Sequence, residues 1–542
     1  GINVSGGTGT FAGNINANAN INANGNIVGD NSTNISGISS VTATNFYGNG
    51  ASLSGIEAAP TIQGVANGTI AAEAGVIVES DGKVAPITPI AANTSAAQTA
   101  MTDLYIESWP DRAMMQAYDA TTGRIAVVYR KSDIYMVVGT RSGNSITWGT
   151  PATLTDPGSS VSNGMLDICN IGPDKWFLIY GYGNGSSGQT WCQVATTTSS
   201  HTFTVGTRTS DLTGGAGSYC PRVEYDSKNG GVLICYNSAN MQIRYATVSG
   251  TAITMSAETT VVGGPRRNMS SSYDEVNGYM LLTWSGNANS FAGDPQTIAI
   301  YKNSSNAAAH GGSNSPYPAT GIALGYIYSA ISDRYYAFYT KNNNYIYYKI
   351  GTESTPYTIA WGSTEYDYSS TGHVGPNLGG WFSAATDLVS GKIFVQYERD
   401  GIMRYQLHKT NALSVELSSL QAETDWNTAV ARPCPVMSMG NMAFTYGYNN
   451  VSAGSQVAGW QIKQFATTDM TTENFIGFSK AAYTNGQTAT VKVVGNVATK
   501  SGLTPGKKYY VQQDGTVSIT ESDPSVVAGR ALTSTSLLIQ PV

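Results

Sequence analysis

The chain has 542 residues, of which only 12 % are charged, and it is rich in glycine (61) and tyrosine (33). Its net charge of −6 provides no basic surface for phosphate groups, so the composition gives no support to nucleic acid binding. No apolar run approaches the 18 residues of a membrane span, so we expect no membrane insertion. Few charges combined with many turn-forming and β-forming residues favour an all-β protein over one with long helices.

Residues 1–60 form a low-complexity segment in which isoleucine recurs every six residues, at Ile15, Ile21 and Ile27. One apolar residue in six cannot close a core within a single chain, but three intertwined chains or a short-rung β-solenoid would stack these side chains on one axis. No lysine or arginine precedes Lys83, which suits a segment that packs against copies of itself. We predict a fibrous, intertwined β stalk here, and a disordered Asn/Gly-rich linker is the alternative.

Residues 61–108 are predicted to form a β-hairpin followed by a connector. Two β-rich runs flank the Asp81-Gly82 dipeptide, which is a strong hairpin signal.

Residues 109–473 repeat one pattern, in which a short apolar run ends in an aromatic residue. The seven aromatic residues are Tyr129, Tyr180, Tyr236, Trp284, Tyr339, Tyr397 and Tyr446. Their spacing of roughly 50 residues is typical of a solenoid, an array or a propeller. We interpret the apolar runs as the second strands of successive units, and we expect their aromatic ends to pack between units and not to contact a ligand.

Further strands complete each unit. Third strands are predicted at residues 134–138, 191–194, 243–246, 298–301, 346–349, 403–407 and 460–465, and fourth strands at 145–149, 202–206, 252–256 and 358–362. Four of the units share an Asp-to-Gly turn before the second strand, at 119–123, 226–230, 274–278 and 387–391. The aspartates are predicted to cap these turns, and the glycines to take positive φ. Seven units of four antiparallel strands predict a seven-bladed β-propeller.

Residues 474–542 have a different pattern and are predicted to form a small C-terminal β-domain. Their signals are the Gly-Leu-Thr-Pro-Gly run at 502–506, Tyr-Tyr-Val at 509–511 and Leu-Leu-Ile at 537–539.

Both ends of the chain resemble bacteriophage proteins. Residues 43–56, Ala-Thr-Asn-Phe-Tyr-Gly-Asn-Gly-Ala-Ser-Leu-Ser-Gly-Ile, resemble a short repeat of fibre proteins from tailed phages, especially those that infect cyanobacteria. The signals in residues 502–539 resemble a small C-terminal domain of phage appendage proteins. The resemblance implies a tail fibre or another virion appendage that is made in the host cytoplasm and assembles as a homotrimer. Its implied partners are other virion proteins, bound through the N-terminal region, and a host-surface glycan or lipopolysaccharide.

The sequence contains no recognisable catalytic or metal-binding motif, and we predict no cofactor. The histidines (His201, His310, His373 and His408) are far apart, without a metal-ligand spacing or a Ser-His-Asp pattern. The five cysteines (Cys169, Cys192, Cys220, Cys235 and Cys434) include no CxxC pair, and we interpret them as buried free thiols.

Four arginines form the candidate binding site, because each lies at or just before a predicted first strand: Arg112, Arg222, Arg267 and Arg432. First strands line the central channel of a propeller, so these side chains could meet at its mouth and bind carboxylates or acidic sugars. The alternative is that they pair with acids such as Asp111, Asp167 and Glu224 and hold the blades together.

Two other functions are kept as alternatives to glycan binding by a fibre. A tailspike glycosidase would need two carboxylates about 5 to 10 Å apart, or a tyrosine nucleophile beside arginines. The sialidase Asp-box is matched only at its end, by Ser145-Ile146-Thr147-Trp148, which counts against that enzyme. The other alternative hypothesis is a structural virion protein of the head or tail that binds no receptor.

Overall fold

Every regular element among the described residues is a β-strand, as the composition predicts. The structure is a computed structural model, and it describes residues 60–94, 98–102, 114–130, 133–154, 165–184, 187–198, 201–212, 221–286, 295–317, 322–330, 332–341, 345–367, 382–387, 390–399, 402–409, 418–427, 431–433, 436–440, 442–450 and 457–540. In parts of these ranges the description is limited to the backbone. The predicted stalk lies outside them, apart from Pro60. No helix that could cross a membrane occurs in the described part of the chain.

The strands before and within the first three repeats are as follows. The N-terminal strands are β1 (Thr61–Val65), β2 (Gly75–Val78), β3 (Val84–Pro86), β4 (Pro89–Ile90), β5 (Asn93–Thr94) and β6 (Gln98–Thr102). Sheet 1 contains β7 (Met114–Asp119), β8 (Arg124–Arg130), β9 (Ile134–Ser142), β10 (Ser145–Trp148) and β11 (Ala152–Thr153). Sheet 2 contains β12 (Met165–Gly172), β13 (Lys175–Asn184), β14 (Ser187–Thr197) and β15 (Phe203–Val205). Sheet 3 contains β16 (Arg222–Asp226), β17 (Gly231–Asn237), β18 (Met241–Ser249), β19 (Ala252–Met255) and β20 (Thr259–Val262).

The remaining strands continue the same order. Sheet 4 contains β21 (Arg267–Asp274), β22 (Tyr279–Ser285), β23 (Gln296–Lys302) and β24 (Ala308–His310). Sheet 5 contains β25 (Ile322–Ser329), β26 (Arg334–Thr340), β27 (Ile346–Thr355) and β28 (Thr358–Asp367). Sheet 6 contains β29 (Phe382–Thr386), β30 (Ile393–Arg399), β31 (Ile402–Lys409) and β32 (Ser418–Asn427). Sheet 7 contains β33 (Ala431–Pro433), β34 (Met437–Ser438), β35 (Ala443–Asn450) and β36 (Val457–Gln464). The C-terminal strands are β37 (Thr467–Thr468), β38 (Phe475–Ser479), β39 (Thr488–Lys492), β40 (Val497–Thr499), β41 (Lys508–Val511), β42 (Val517–Ser518), β43 (Val526–Ala531) and β44 (Ser536–Ile539).

Sheets 1 to 7 are all antiparallel, and in sheets 2, 4, 5 and 6 each strand pairs with the next strand along the chain. Sheets 1 and 3 follow the same order over their first four strands, with β11 added to β9 and β20 added to β18, and in sheet 7 both β33 and β34 pair with β35. The predictions of an all-β protein built from repeated small sheets, and of its second, third and fourth strands, are confirmed. The first strands contact one another in a closed cycle, from β7 through β12, β16, β21, β25 and β29 to β34 and back to β7. The sheets are therefore arranged as a ring.

The second strands lie in the most buried layer of each sheet. All residues of β8, β17 and β22 are buried, because other sheets cover both faces of these strands. The terminal aromatic residues are also buried, and each packs in a cluster shared with the preceding sheet: Tyr129, Tyr180, Tyr236, Trp284, Tyr339 and Tyr397. Their predicted packing role is confirmed, while the side chain of Tyr446 lies outside the described part.

The Asp-to-Gly turns connect the first and second strands of sheets 1, 3, 4 and 6. Asp119, Asp226, Asp274 and Asp387 are all buried, and their carboxylates accept hydrogen bonds from the backbone of their own turns. The glycine that ends each turn has a φ between 66° and 81°. Both predictions for these turns are confirmed.

Each turn aspartate also accepts a hydrogen bond from the next sheet. The donors are the Asp174 N–H for Asp119 (2.7 Å), the Tyr273 hydroxyl for Asp226 (2.7 Å), the Tyr335 hydroxyl for Asp274 (2.8 Å) and the Ser438 hydroxyl for Asp387 (2.9 Å). One carboxylate thus closes a turn and joins two neighbouring sheets.

Segments from the beginning of the described chain complete the last sheet. Strands β5 and β6 pair with β36, so the outer edge of sheet 7 is supplied by residues 93–94 and 98–102. The ring is closed by joining two distant parts of the sequence.

The sequence patterns predict residues 61–108 and 474–542 as two separate segments, but strands from both segments pair with each other in one module. A five-stranded sheet has the order β1-β39-β38-β2-β3 and includes the predicted hairpin, which is confirmed. A second sheet has the order β40-β44-β43-β41-β42 and shares a hydrophobic core with the first. We call this the end module (residues 60–90 and 467–540). It contacts sheet 6 through an ion pair between Lys392 Nζ and Asp523 Oδ1 at 2.7 Å.

Three of the cysteines can be assessed. Cys169, Cys192 and Cys235 are free and buried, as predicted, whereas Cys220 and Cys434 lie outside the described residues. Burial raises the pKa of each of these three thiols, so they are poor nucleophiles at neutral pH.

Candidate functional site

A cavity of about 170 Å³ lies among the first strands, and its wall is formed by sheets 1 to 6 and by the segment that leads into sheet 7. Representative lining residues, in the order of the sheets, are Gln116, Asp167, Glu224, Ser271, Tyr326 and Ser383, followed by Val436 just before β34. They belong mainly to the beginnings and middles of their strands. The Asp-to-Gly turns follow the ends of the first strands, so the cavity lies away from them and nearer the opposite rim of the ring.

The polar side chains of Asp167 and Ser383 in the cavity wall form hydrogen bonds that join adjacent sheets. Asp167 accepts hydrogen bonds from the Ile168 N–H and from the Val223 N–H of sheet 3, both at 3.0 Å. Ser383 Oγ accepts a bond of 2.8 Å from the Val436 N–H, which belongs to the segment leading into sheet 7. These side chains satisfy backbone N–H groups that have no strand partner on that side, and so they join adjacent sheets around the centre.

Glu224 makes the corresponding link between sheets 3 and 4. Its Oε1 accepts a hydrogen bond of 2.7 Å from the Ser271 hydroxyl. Burial, and then the negative charge of Asp167, raise the pKa of Glu224 to about 7, while the Ser271 bond and the nearby Arg222 act in the opposite direction. This carboxyl therefore changes its charge near neutral pH.

Arg222 is the predicted site residue whose side chain the structure describes. It is 3 % exposed and lines the cavity beside Glu224. Its Nη1 donates to the Pro221 carbonyl at 2.6 Å, and its Nη2 donates to the Met269 carbonyl of sheet 4. The buried Nε has no hydrogen-bond partner.

The other three predicted arginines cannot be placed as side chains. Arg267 begins β21 and Arg432 lies in β33, but only the backbone of these residues is described, and Arg112 lies outside the described residues. The predicted convergence of four arginines at one channel mouth therefore stays a prediction. The acids named as alternative partners, Asp167 and Glu224, do lie in the cavity, where they join sheets through backbone and serine donors.

The arrangement suits hydrogen bonding to a small polar ligand. Within the described ranges there is no group of three or more His, Cys, Asp or Glu side chains that could hold a metal ion. The cavity offers carboxylate, hydroxyl and guanidinium groups, and Phe382 and Tyr326 also contribute to its wall. Sequence reasoning named Arg222, Asp167 and Glu224 but missed Ser271 and Ser383, since a lone serine in a strand carries no signal of its own.

Comparisons with known proteins give weak similarities only. No family model matches the chain, and no curated protein matches it. Among solved structures, it is similar to a protein from Bacteroides fragilis provisionally assigned as a 6-phosphogluconolactonase, with 11 % identity, 67 % of this chain and 97 % of that chain covered, and a TM-score of 0.44. It is also similar to the NanB sialidase from Streptococcus pneumoniae, with 11 % identity, 68 % of this chain and 71 % of that chain covered, and a TM-score of 0.38. A third similar structure is AofleA from Arthrobotrys oligospora, with 11 % identity, 67 % of this chain and 97 % of that chain covered, and a TM-score of 0.35. These values are too low to assign the chain to a family.

Proposed function

We propose that the chain is a bacteriophage virion appendage, a tail fibre, in which sheets 1 to 7 form a seven-bladed β-propeller that binds a host-surface glycan. The closed cycle of first strands and the clusters between consecutive sheets support the propeller. The resemblance of residues 43–56 and 502–539 to phage proteins supports the virion role. The proposal includes a homotrimer held by a stalk of residues 1–60, which would also bind other virion proteins.

The polar cavity is the observation that carries the binding role. A cavity lined by carboxylate, hydroxyl and guanidinium groups is complementary to a ligand whose own groups both donate and accept hydrogen bonds. Sugar hydroxyls have that property. A homotrimer would present three such sites, so weak binding at each would give useful avidity.

The test is binding of the full chain to lipopolysaccharide and capsular polysaccharide purified from cyanobacteria and immobilised on a sensor surface. We expect saturable binding that is lost when the polysaccharide is first oxidised with periodate, which destroys vicinal hydroxyl groups. No binding to any preparation, or equal binding to oxidised material, would refute the proposed glycan recognition.

A glycosidase is the second candidate, and one observation favours it. Glu224, whose pKa is raised to about 7, lies near Asp167, and an acid paired with an ionised carboxylate is the arrangement that glycosidases use. Against it, both carboxylates already accept hydrogen bonds that join sheets. Incubating the chain with the same polysaccharides and measuring new reducing ends separates the two functions, and we expect none to form.

A further inference from the structure

A second pocket, of about 390 Å³, lies between sheets 1 and 7. Its wall combines the segment that joins the end module to the ring, the β9–β10 hairpin and the last residue of β36: residues 90–93, Arg141, Gly143, Asn144 and Gln464. Ile462 lies on the same face of β36 as Gln464 and packs in the hydrophobic cluster shared with sheet 1. The pocket therefore continues the cleft between the two sheets.

The size and the accessibility of the pocket suit a small ligand. Sites for small molecules typically measure about 300–1,000 Å³, a range that includes this pocket. Ala91, Ala92 and Asn93 in its wall are exposed, so a ligand can enter from solvent. A sugar residue that is part of a host-surface glycan can therefore reach this site.

Arg141 is held in place across the cleft and keeps donors for a ligand. Its Nε donates to the Gly143 carbonyl at 2.8 Å, and its Nη1 donates to the Met439 carbonyl of sheet 7 at 3.3 Å. Nη2 has no partner among the described residues, and Nη1 has a second N–H. A guanidinium fixed in this way is suited to a carboxylate, because its remaining N–H groups can bond to both carboxylate oxygens.

The charged groups around the pocket favour an anionic ligand. Arg141 lines the pocket, and none of the described lining residues is an acid. At one end of the joining segment Lys463 donates to Thr94 Oγ1 at 2.9 Å. At the other end Asp469 accepts a bond of 2.7 Å from the Thr88 N–H. Since these two flanking charges have opposite signs, Arg141 determines the charge of the pocket itself.

Carboxamide groups supply further polar contacts. Asn93 and Asn144 line the pocket, and a carboxamide both donates and accepts hydrogen bonds, as sugar hydroxyl groups do. We infer that the pocket between sheets 1 and 7 binds an acidic sugar, whose carboxylate pairs with Arg141 and whose hydroxyls bond to Asn93 and Asn144. This inference rests on the proposed glycan recognition, and it adds to the central cavity a second site with a ligand class of its own.

The first experiment compares sugars that differ in a single group. The methyl glycosides of glucuronic and galacturonic acid are titrated into the unmodified full chain beside those of glucose and galactose, which carry a hydroxymethyl group in place of the carboxylate. We expect at least one acidic glycoside to bind about tenfold or more tightly than its neutral partner. No binding by either acidic glycoside, or equal binding by the neutral partners, would overturn the inference.

Amide hydrogen exchange on the same complex locates the bound sugar without any substitution. We expect the acidic glycoside to slow exchange in residues 90–93 and in the β9–β10 hairpin, and to leave the strands that line the central cavity unchanged. Slower exchange around the central cavity, with none in residues 90–93, would place the acidic sugar elsewhere and refute the assigned site.

Two variants then test the named side chains. Arg141→Gln should weaken binding of the acidic glycoside about tenfold or more, and Asn93→Ala, at an exposed position where folding is little affected, should weaken it about fivefold. The matched control is Arg266→Gln, which also removes bonds to two backbone carbonyls, those of Gly263 and Gly286, but lies outside the described lining of both pockets. Its affinity should equal that of the unmodified chain.

The outcomes separate this inference from the proposed function. If Arg141→Gln and Asn93→Ala bind the acidic glycoside as the unmodified chain does, the pocket is not the site. Polysaccharide binding by a chain that binds no acidic glycoside would contradict this inference alone. Absence of polysaccharide binding by the unmodified chain would contradict the proposed function.

Discussion

The turn aspartates show how a single residue can both close a turn and join two neighbouring sheets. Asp274 accepts hydrogen bonds from the Val276 and Asn277 N–H groups and from the Tyr335 hydroxyl of sheet 5. Sequence alone predicts the first two bonds, because Asp followed four residues later by Gly is a local turn signal. The bond from Tyr335 joins residues 61 positions apart and has no local signal.

We expect Asp274→Ala to destabilise the chain more than Tyr335→Phe. The alanine variant leaves two turn N–H groups, the Asn277 amide and a buried hydroxyl without their acceptor, at a cost of about 3 kcal/mol or more. The phenylalanine variant loses the bond to Asp274 and a long bond of 3.4 Å from Asn277 Nδ2, at a cost of about 1 kcal/mol. Chemical denaturation followed by tryptophan fluorescence measures both. Val276→Ala is the control, since this side chain is 54 % exposed and should change stability by less than about 0.5 kcal/mol. Equal effects of Asp274→Ala and Tyr335→Phe would show that the turn bonds contribute nothing.

Glu224 gives a prediction for the pH dependence of stability. Its folded-state pKa of about 7 lies above the ordinary value of 4.5, so the folded chain binds more protons than the unfolded chain between these pH values. The contribution of Glu224 is therefore most favourable below pH 4.5 and is lost as pH rises through 7. Glu224→Gln should be the more stable form at pH 8 and should lose this advantage at pH 5.

The measurement is the denaturation midpoint of both chains at pH 5 and pH 8. Burial lowers the pKa of His408 to about 4, which destabilises both chains equally below pH 6.5 and cancels in the comparison. If the denaturation midpoints of the two chains changed equally with pH, Glu224 would not be the buried carboxyl described above, with Asp167 and Arg222 as its charged neighbours.

At the scale of elements, the sequence predicts the positions of strands better than it predicts which strands pair with each other. Second, third and fourth strands follow from apolar runs, alternation and tight turns, all of which act within about 20 residues. The pairing of β5 and β6 with β36, and of β1 with β39, joins segments hundreds of residues apart, and nothing local in either segment specifies the other. The position of the candidate site cannot be predicted for the same reason, since its wall combines residues of sheets 1 to 6 with Val436.

The closure of sheet 7 by N-terminal strands can be tested by truncation. A chain without residues 1–102 lacks the outer strands of sheet 7, so we expect faster amide hydrogen exchange in β35 and β36 than in the full chain. Sheets 3 and 4 lie across the ring and should keep their protection. The matched control lacks residues 1–59 alone and should exchange in sheet 7 as the full chain does. Unchanged protection of β36 in the shorter chain would show that closure does not depend on these strands.

At the scale of the whole molecule, the proposed homotrimer rests on the period of six in residues 1–60. We expect light scattering to give the mass of three chains independently of concentration. Deleting residues 1–59 should release monomers, because the described strands from β1 onward pair with one another within a single chain. A monomeric full-length chain would rule out the proposed assembly, and a trimeric truncated chain would place the interface elsewhere.

The joining of β6 to β36 also has a consequence for synthesis on the ribosome. Roughly 350 residues separate Thr102 from Val457, so at about 5–20 residues per second the early strand waits roughly 20 to 70 s for its partner. During that interval the flank of sheet 1 that later packs on Met439, Ala443 and Ile462 has no neighbour to cover it. An unfinished chain is thus an incomplete ring that exposes an apolar face of sheet 1. On a crowded polysome this face can pack against other unfinished chains. Slow or stalled translation between sheets 6 and 7 should therefore produce aggregates of sheet 1, even in a chain whose finished form is stable.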